Sequence, residues 1–149
     1  MNIKEELYKA CEAFIEDRLK TVQHTIDDIQ KSLTTETKSS AGDKHETGRA
    51  MLQLEREKAG NQLAEIQKVK ETLAKIDPSK TSKIVSLGSV VYTSNLNYFI
   101  SISAGELKID NIKFYAISPS TPIGQLLLGK KVKDRISFRN QEFVIERVL

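Results

Sequence analysis

Apolar residues in the first part of the chain fall at Ile3, Leu7, Cys11, Ile15, Leu19, Val22, Ile26, Ile29 and Leu33. The steps begin as fours and, from Ile15 onward, alternate between four and three. That spacing keeps one stripe of a helix turned toward a partner. Lys, Glu, Asp and Gln fill most of the positions between, and no Gly or Pro interrupts Met1 to Ser40. The pattern predicts one long helix. From Thr34 to Gly42 the stripe is lost among Thr, Ser and finally Gly, where the helix should fray or end. A second stripe runs through Leu52, Ala59, Leu63, Ile66, Val69, Leu73 and Ile76, and stops at Asp77-Pro78, since proline disfavours helix in the residue before it. Two arms of about 30 residues, each on the order of 45 Å long, joined by a short polar break, predict an antiparallel coiled-coil hairpin. Such a seam can also recruit a second chain.

Beyond the Pro/Ser/Lys stretch from Pro78 to Lys83 the period changes. Val85 to Tyr92, Tyr98 to Ile102, Ile112 to Ile117, Arg135 to Phe138 and Glu142 to Val148 are short runs rich in Val, Ile, Phe and Tyr. Gly88, Asn95, Gly105 and Asn140 punctuate them, and a turn at Asn140-Gln141 would join the last two as a hairpin. Between them, Pro122 to Gly129 reads as one or two helical turns packed on a sheet. The fold class expected is α+β, with a helical hairpin over 1–77, an acidic tip near 40–48, and a small α+β domain over 78–149. A domain of that size is near the lower limit at which a core alone suffices.

Bulk charge supports the same division. The net charge of +3 splits into −1 over residues 1–76, with 13 Lys/Arg against 14 Asp/Glu, and +4 over 77–149, with 10 against 6. A balance this small does not describe a protein that coats nucleic acid. A single cysteine, Cys11, excludes an internal disulfide and fits a reducing compartment. No basic segment followed by an apolar run opens the chain, and no window holds the roughly 18 apolar residues of a membrane span. A cytoplasmic protein with no membrane contact is expected.

Two carboxylates stand in the break between the arms. Asp43 and Glu46 are three residues apart, so on a helix they share a face and can hold one hard cation such as magnesium, which prefers oxygen ligands. The same spacing is that of a capping box, in which both side chains satisfy free backbone N–H groups at a helix start. The two roles compete for the same oxygens, and local pattern favours the cap. Elsewhere His24 and His45 are isolated, and no His/Cys cluster has metal spacing. Cys11 lies on the apolar stripe, as a small core residue would. Ser118 and Ser120 lack a nucleophile-elbow pattern. Lys130, Lys131, Lys133 and Arg135 form a basic cluster without an aromatic ladder, which reads as a solvated face.

The run Ser120-Thr121-Pro122-Ile123-Gly124-Gln125-Leu126-Leu127-Leu128-Gly129-Lys130-Lys131-Val132-Lys133-Asp134 resembles the SPLG-x-ALLGKK-x-GD signature of the Gre family of bacterial transcript cleavage factors. Leu87-Gly88-Ser89-Val90-Val91 is similar to the strand that opens that family's C-terminal domain. Gly42-Asp43-Lys44-His45-Glu46 matches the spacing of the family's tip, and the family carries an N-terminal antiparallel coiled coil of this length. The resemblance covers nearly the whole chain, in order.

The resemblance implies an FKBP-like C-terminal domain that binds RNA polymerase at the rim of its secondary channel, with the coiled coil passed down the channel. Asp43 and Glu46 would be the catalytic pair, ligands of the second Mg2+ in a two-metal hydrolysis of backtracked RNA. The partners implied are RNA polymerase and the nascent RNA 3′ end within that complex. The chain would have no independent enzyme activity; it would stimulate the polymerase's own endonuclease, as a monomer. Pro122, Ile123 and Gly124 lie in the segment associated with the polymerase-facing side. The sequence departs from the family after Glu46, where Asn-(Ala/Ser)-Glu-Tyr is replaced by Thr47-Gly48-Arg49-Ala50, and Arg49 becomes a candidate for contact with RNA phosphate. Lys133 stands where the motif prefers Gly. The alternative is a channel-binding regulator without cleavage stimulation, in which Asp43 and Glu46 serve as a cap. A peptidyl-prolyl isomerase would need an aromatic-lined pocket that the residues do not suggest, and a coiled-coil adaptor would leave the C-terminal signature without a role.

Overall fold

The computed structural model describes residues 2–38 and 43–149, with the side chains of 36–38 and 43–46 outside the description. Helix α1 spans Ile3–Lys38 and α2 spans Asp43–Ala74. Helix α1 runs on through the Thr-rich segment where the stripe is lost. The hydroxyls of Thr34 and Thr35 donate to the carbonyls of Gln30 and Lys31, at 3.0 and 3.1 Å, so these side chains bond along the helix instead of competing with it. Helix α2 stops two residues before the apolar stripe does, and Lys75 and Ile76 continue it as a tight turn bonded to Thr72 and Leu73.

The chain divides into two compact units, one of Ile15–Val69 and one of Met1–Phe14 with Lys70–Leu149. The first is the hairpin. Its seam buries Ile26, Ile29 and Ala59, with Val22, Leu33, Leu52 and Leu63 packed around them, all of them positions of the two stripes. Met51 and Leu54, which lie off the stripe, are 60% and 65% exposed.

In the other unit six strands form one sheet, in the order β3-β4-β2-β1-β6-β5. The strands are β1 (Val90–Thr93), β2 (Tyr98–Ile100), β3 (Gly105–Ile109), β4 (Ile112–Ile117), β5 (Arg135–Phe138) and β6 (Gln141–Val148), with a short helix α3 (Pro122–Leu127) before β5. Strands β2 and β4 pair in parallel; the other neighbours are antiparallel. One set of alternate positions, including Val91, Ile100, Phe143 and Ile145, forms a core with Val85, Ile136 and Leu127 of α3. The intervening positions Val90, Phe99, Phe114 and Ala116 are buried as well, so the middle of the sheet is covered on both faces. The first turns of α1 belong to this unit: Leu7 and Cys11 are fully buried, and the Lys4 amine donates to the carbonyl of Lys80. The expected architecture of a helical hairpin followed by a small α+β domain is thus observed.

Three local expectations are corrected. The run from Val85 is not one strand. Val85 bonds to the backbone of Gly129 and Lys130 (2.8 and 2.9 Å), and the Ser89 hydroxyl accepts from Ser86 N (2.9 Å), closing a turn. Gly88 in that turn has φ +92, and a Cβ there would meet Ile76 at 2.9 Å. Strand β3 is an addition, because its Gly-Glu-Leu-Lys-Ile composition reads as polar. The turn between β5 and β6 is centred on Arg139-Asn140, one residue earlier than expected, with φ 52 and 64 at both central positions. That is the backbone of a two-residue hairpin whose twist matches its strands.

Candidate functional site

The expected site residues lie at the helical break and around α3. Asp43 is the first residue of α2 and Glu46 lies in its first turn. Their side chains are outside the described residues, so both the cap and the cation reading of the pair fall there too. Arg49 sits one turn further along α2 and is half-buried. Among the described residues no three His, Cys, Asp or Glu side chains are grouped to hold a metal ion.

Around α3 the local chemistry is fully visible. Thr121 is the N-cap: its hydroxyl accepts from Gly124 N at 3.1 Å and donates to the Ser118 carbonyl at 2.7 Å. Pro122 occupies the first helical turn, where its missing N–H is no loss. A Cβ at Gly124 would lie 2.4 Å from the Ser118 carbonyl oxygen, so the α3 N-terminus folds tightly back on Ser118 only because this residue has no side chain. Leu127 is fully buried in the core, and Ile123 packs against it half-buried. Of the expected trio only Pro122 is exposed. Sequence reasoning did not single out the apolar side chains that the same segment leaves on the surface. Leu126, Leu128 and Val132 are 39%, 37% and 42% exposed, and so is Ile84 at 47%, next to the residue that bonds to Gly129 and Lys130. For Leu126 and Leu128 the signal is three leucines in succession, more than one helical face can bury; Val132 and Ile84 carry no such signal.

The basic cluster is held in a turn. Asp134 accepts from Lys131 N at 2.9 Å, and its carboxylate lies 3.6 Å from the Lys131 amine. Lys133 has φ +78, and its N–H donates to the Ile145 carbonyl at 2.8 Å. His24 is exposed and lies 3.3 Å from Asp28, one helical turn away. Cys11 is buried with its sulfur 3.7 Å from the Ser101 hydroxyl. Burial pushes its thiol up to about 11, against a smaller opposing effect of that hydroxyl. A thiol so protonated is inert as a nucleophile at neutral pH, in keeping with a packing role. No helix among the described residues is long and apolar enough to cross a membrane.

Taken together, the fold defines a two-part α+β protein: a long helical hairpin and a six-stranded domain in which a short, tightly capped helix presents an apolar and basic surface. No family model matches the chain, and no curated protein matches it. Among solved structures, the crystal structure of GreA factor homolog 1 (Gfh1) of Thermus thermophilus is similar, at 19% identity and a TM-score of 0.35, covering 95% of this chain and 94% of that one. At that level the likeness carries no argument.

Proposed function

We propose that this chain is a transcription factor of the Gre type, which binds RNA polymerase through its C-terminal domain and extends its hairpin into the secondary channel to promote cleavage of backtracked RNA. The observation that carries the reading is the match between the C-terminal signature and the backbone it encodes. The motif has glycine at three places in this segment. In this chain Gly124 has no room for a Cβ, Gly129 has φ +81, and Lys133, at the third place, has φ +78. A resemblance in letters is therefore also a resemblance in the conformations those letters allow.

In this reading Asp43 and Glu46 supply carboxylate oxygens, the donor type that Mg2+ takes, and the bound ion would stabilise charge on the oxygens of the scissile phosphate. Two carboxylates hold such an ion weakly alone, so the partner enzyme has to complete the shell. Pro122 and the exposed side chains after it would face the polymerase. Arg49 would lie against RNA phosphate.

The second reading, a channel-binding regulator without cleavage, is favoured by one observation: Thr47-Gly48-Arg49-Ala50 replaces the Asn, acidic and aromatic residues of the family's tip. One assay separates the two. Backtracked complexes of bacterial polymerase carrying labelled RNA are incubated with Mg2+ and the protein. Asp43→Asn keeps a capping oxygen but removes the charge. The cleavage reading expects transcript shortening that falls about 100-fold or more in this variant while helix content is unchanged. Polymerase binding without shortening establishes the second reading, and no binding removes both.

A further inference from the structure

The six-stranded sheet ends on β3 at one edge and β5 at the other. The register of β3 on β4 decides which backbone groups β3 leaves outward. Ile109 pairs with Ile112 across Asp110-Asn111, both of which have positive φ (50 and 66), the two-residue turn in which the flanking pair exchanges both backbone bonds. Alternation then assigns the amides and carbonyls of Ile109, Leu107 and Gly105 to β4. The far side of β4 fixes the same phase: Tyr115 N donates to Asn97 O and Ser101 N to Ile117 O, both at 2.8 Å, so those β4 residues face β2. Glu106 and Lys108 therefore direct their N–H and C=O away from the sheet, and no partner takes these groups among the described residues.

An unpaired edge of this kind is a template for another strand. When the strand is its own partner, in antiparallel orientation, the outward groups of Glu106 and Lys108 can meet in three central registers. One sets Glu106 against Glu106 and another Lys108 against Lys108, placing like charges directly opposite, which is destabilising. The third sets Glu106 of each copy against Lys108 of the other, twice over, about a dyad at Leu107. In that register the hydrogen-bonding phase and the charge pattern agree. Leu107 meets its own copy in the close, non-hydrogen-bonded position, on the sheet face that carries Ile109 and the 43% exposed Ile112. The other edge offers nothing comparable: the same rule leaves Arg135 and Ser137 outward on β5.

We propose that two copies of this chain associate edge to edge through β3, antiparallel about Leu107, with Glu106 of each copy opposite Lys108 of the other. The interface is isologous, as a two-fold dimer requires, and replaces the monomer expected of the sequence. One strand edge buries less than the roughly 1,200 Å² of a standard interface, so the association is weak and concentration-dependent.

Sedimentation equilibrium of the full chain from about 10 μM to about 1 mM is expected to show dimer growing in over the upper part of the range. Glu106→Lys and Lys108→Glu each place like charges opposite one another in this register, and each should weaken the dimer about tenfold or more. An equimolar mixture of the two variants restores opposite charges at every pair and should dimerise as wild type does. The double variant E106K/K108E should do so alone. It lacks the Glu106–Lys113 ion pair (3.4 Å) just as E106K does, so its recovery separates strand pairing from any loss of fold. A wild-type chain that stays monomeric throughout overturns the proposal, as does a dimer that survives either single reversal or a mixture no better than its components.

Discussion

The hairpin and the sheet unit bury apolar side chains by different geometry. In the hairpin each helix has one neighbour, so only the stripe is covered, and the residues at its centre, Ile26 and Ile29, keep 7% and 6% of their surface. In the sheet unit successive residues of one strand are buried on opposite faces: Val90 and Val91, or Phe99 and Ile100, are all at 0%. A residue in the sheet is thus held by neighbours on more sides than one in the seam. Local opening free energies follow such differences in packing, so the hairpin should open and exchange its amides without the sheet.

The sharpest way to break that comparison is a pair of truncations. Phe99→Ala removes a fully buried ring from the middle of the sheet and should lower stability by about 3–5 kcal/mol; Ile29→Ala, at a seam that solvent borders, should lie near 2 kcal/mol, the bottom of the range for such changes. Urea unfolding gives the two sizes, and amide exchange gives their location. Exchange should rise throughout the strands in the first variant and only within 15–69 in the second. Equal losses, or a global rise in both, would mean that the two regions unfold as one.

Alkaline pH addresses the sheet unit alone. The Cys11 thiol is raised from an ordinary value of 9.0 to about 11 by burial. Between those values the unfolded chain loses the proton and the folded chain keeps it, so stability falls as pH rises through the interval. The loss is about 1.4 kcal/mol by pH 10 and approaches about 2.7 kcal/mol above pH 11. Burial also raises Tyr98, Tyr92 and Tyr8, which add the same sign as pH approaches and passes their ordinary value of 10.0, whereas burial lowers Lys4, which contributes the opposite sign. Unfolding midpoints from pH 8 to 10 should therefore decline more steeply in the wild type than in Cys11→Ala, since the tyrosines and Lys4 act alike in both. An equal decline in both would assign the slope to other groups.

The same contrast explains what the residues reveal on reading. A helix stripe repeats over 30 or more residues, so both arms stand out, whereas the ends depend on single side chains such as Thr34 and Thr35 that bond back to their own helix. Strands are short, and only those buried on a face show their period. Strand β3 alternates over only four residues, Glu106-Leu107-Lys108-Ile109, too few to stand out, and the Asp110-Asn111 turn that defines it carries no glycine. The Val85 segment misled in the other direction: its side chains are apolar enough for a strand, but Gly88 at φ +92 turns the backbone aside. At the candidate site, the glycine boundaries and the Leu run located α3, since glycines at such places answer to backbone geometry. Which of Pro122, Ile123 and Gly124 reaches the surface depends on how α3 sits on the core, and no spacing encodes that.

The smallest effect tests backbone geometry alone. Lys133 is fixed at φ +78 by its bond to the Ile145 carbonyl, and Ile145 is fully buried, so the residue cannot relax out of the left-handed region. A side chain there costs roughly 1–2 kcal/mol, and glycine removes that strain while losing about 0.5–1 kcal/mol through the greater freedom of its unfolded chain. Lys133→Gly should therefore stabilise the sheet unit by about 0.5–1 kcal/mol. Lys133→Ala, which keeps the Cβ, should not. Gly129 provides the mirror experiment: its φ is +81 and a Cβ there would meet nothing within 4 Å, so Gly129→Ala should destabilise by a similar amount with no steric contribution. Urea midpoints measure all three, and exchange within 15–69 should not move in any of them. If Lys133→Ala gains as much as Lys133→Gly, the lysine side chain and not the backbone is the source of strain.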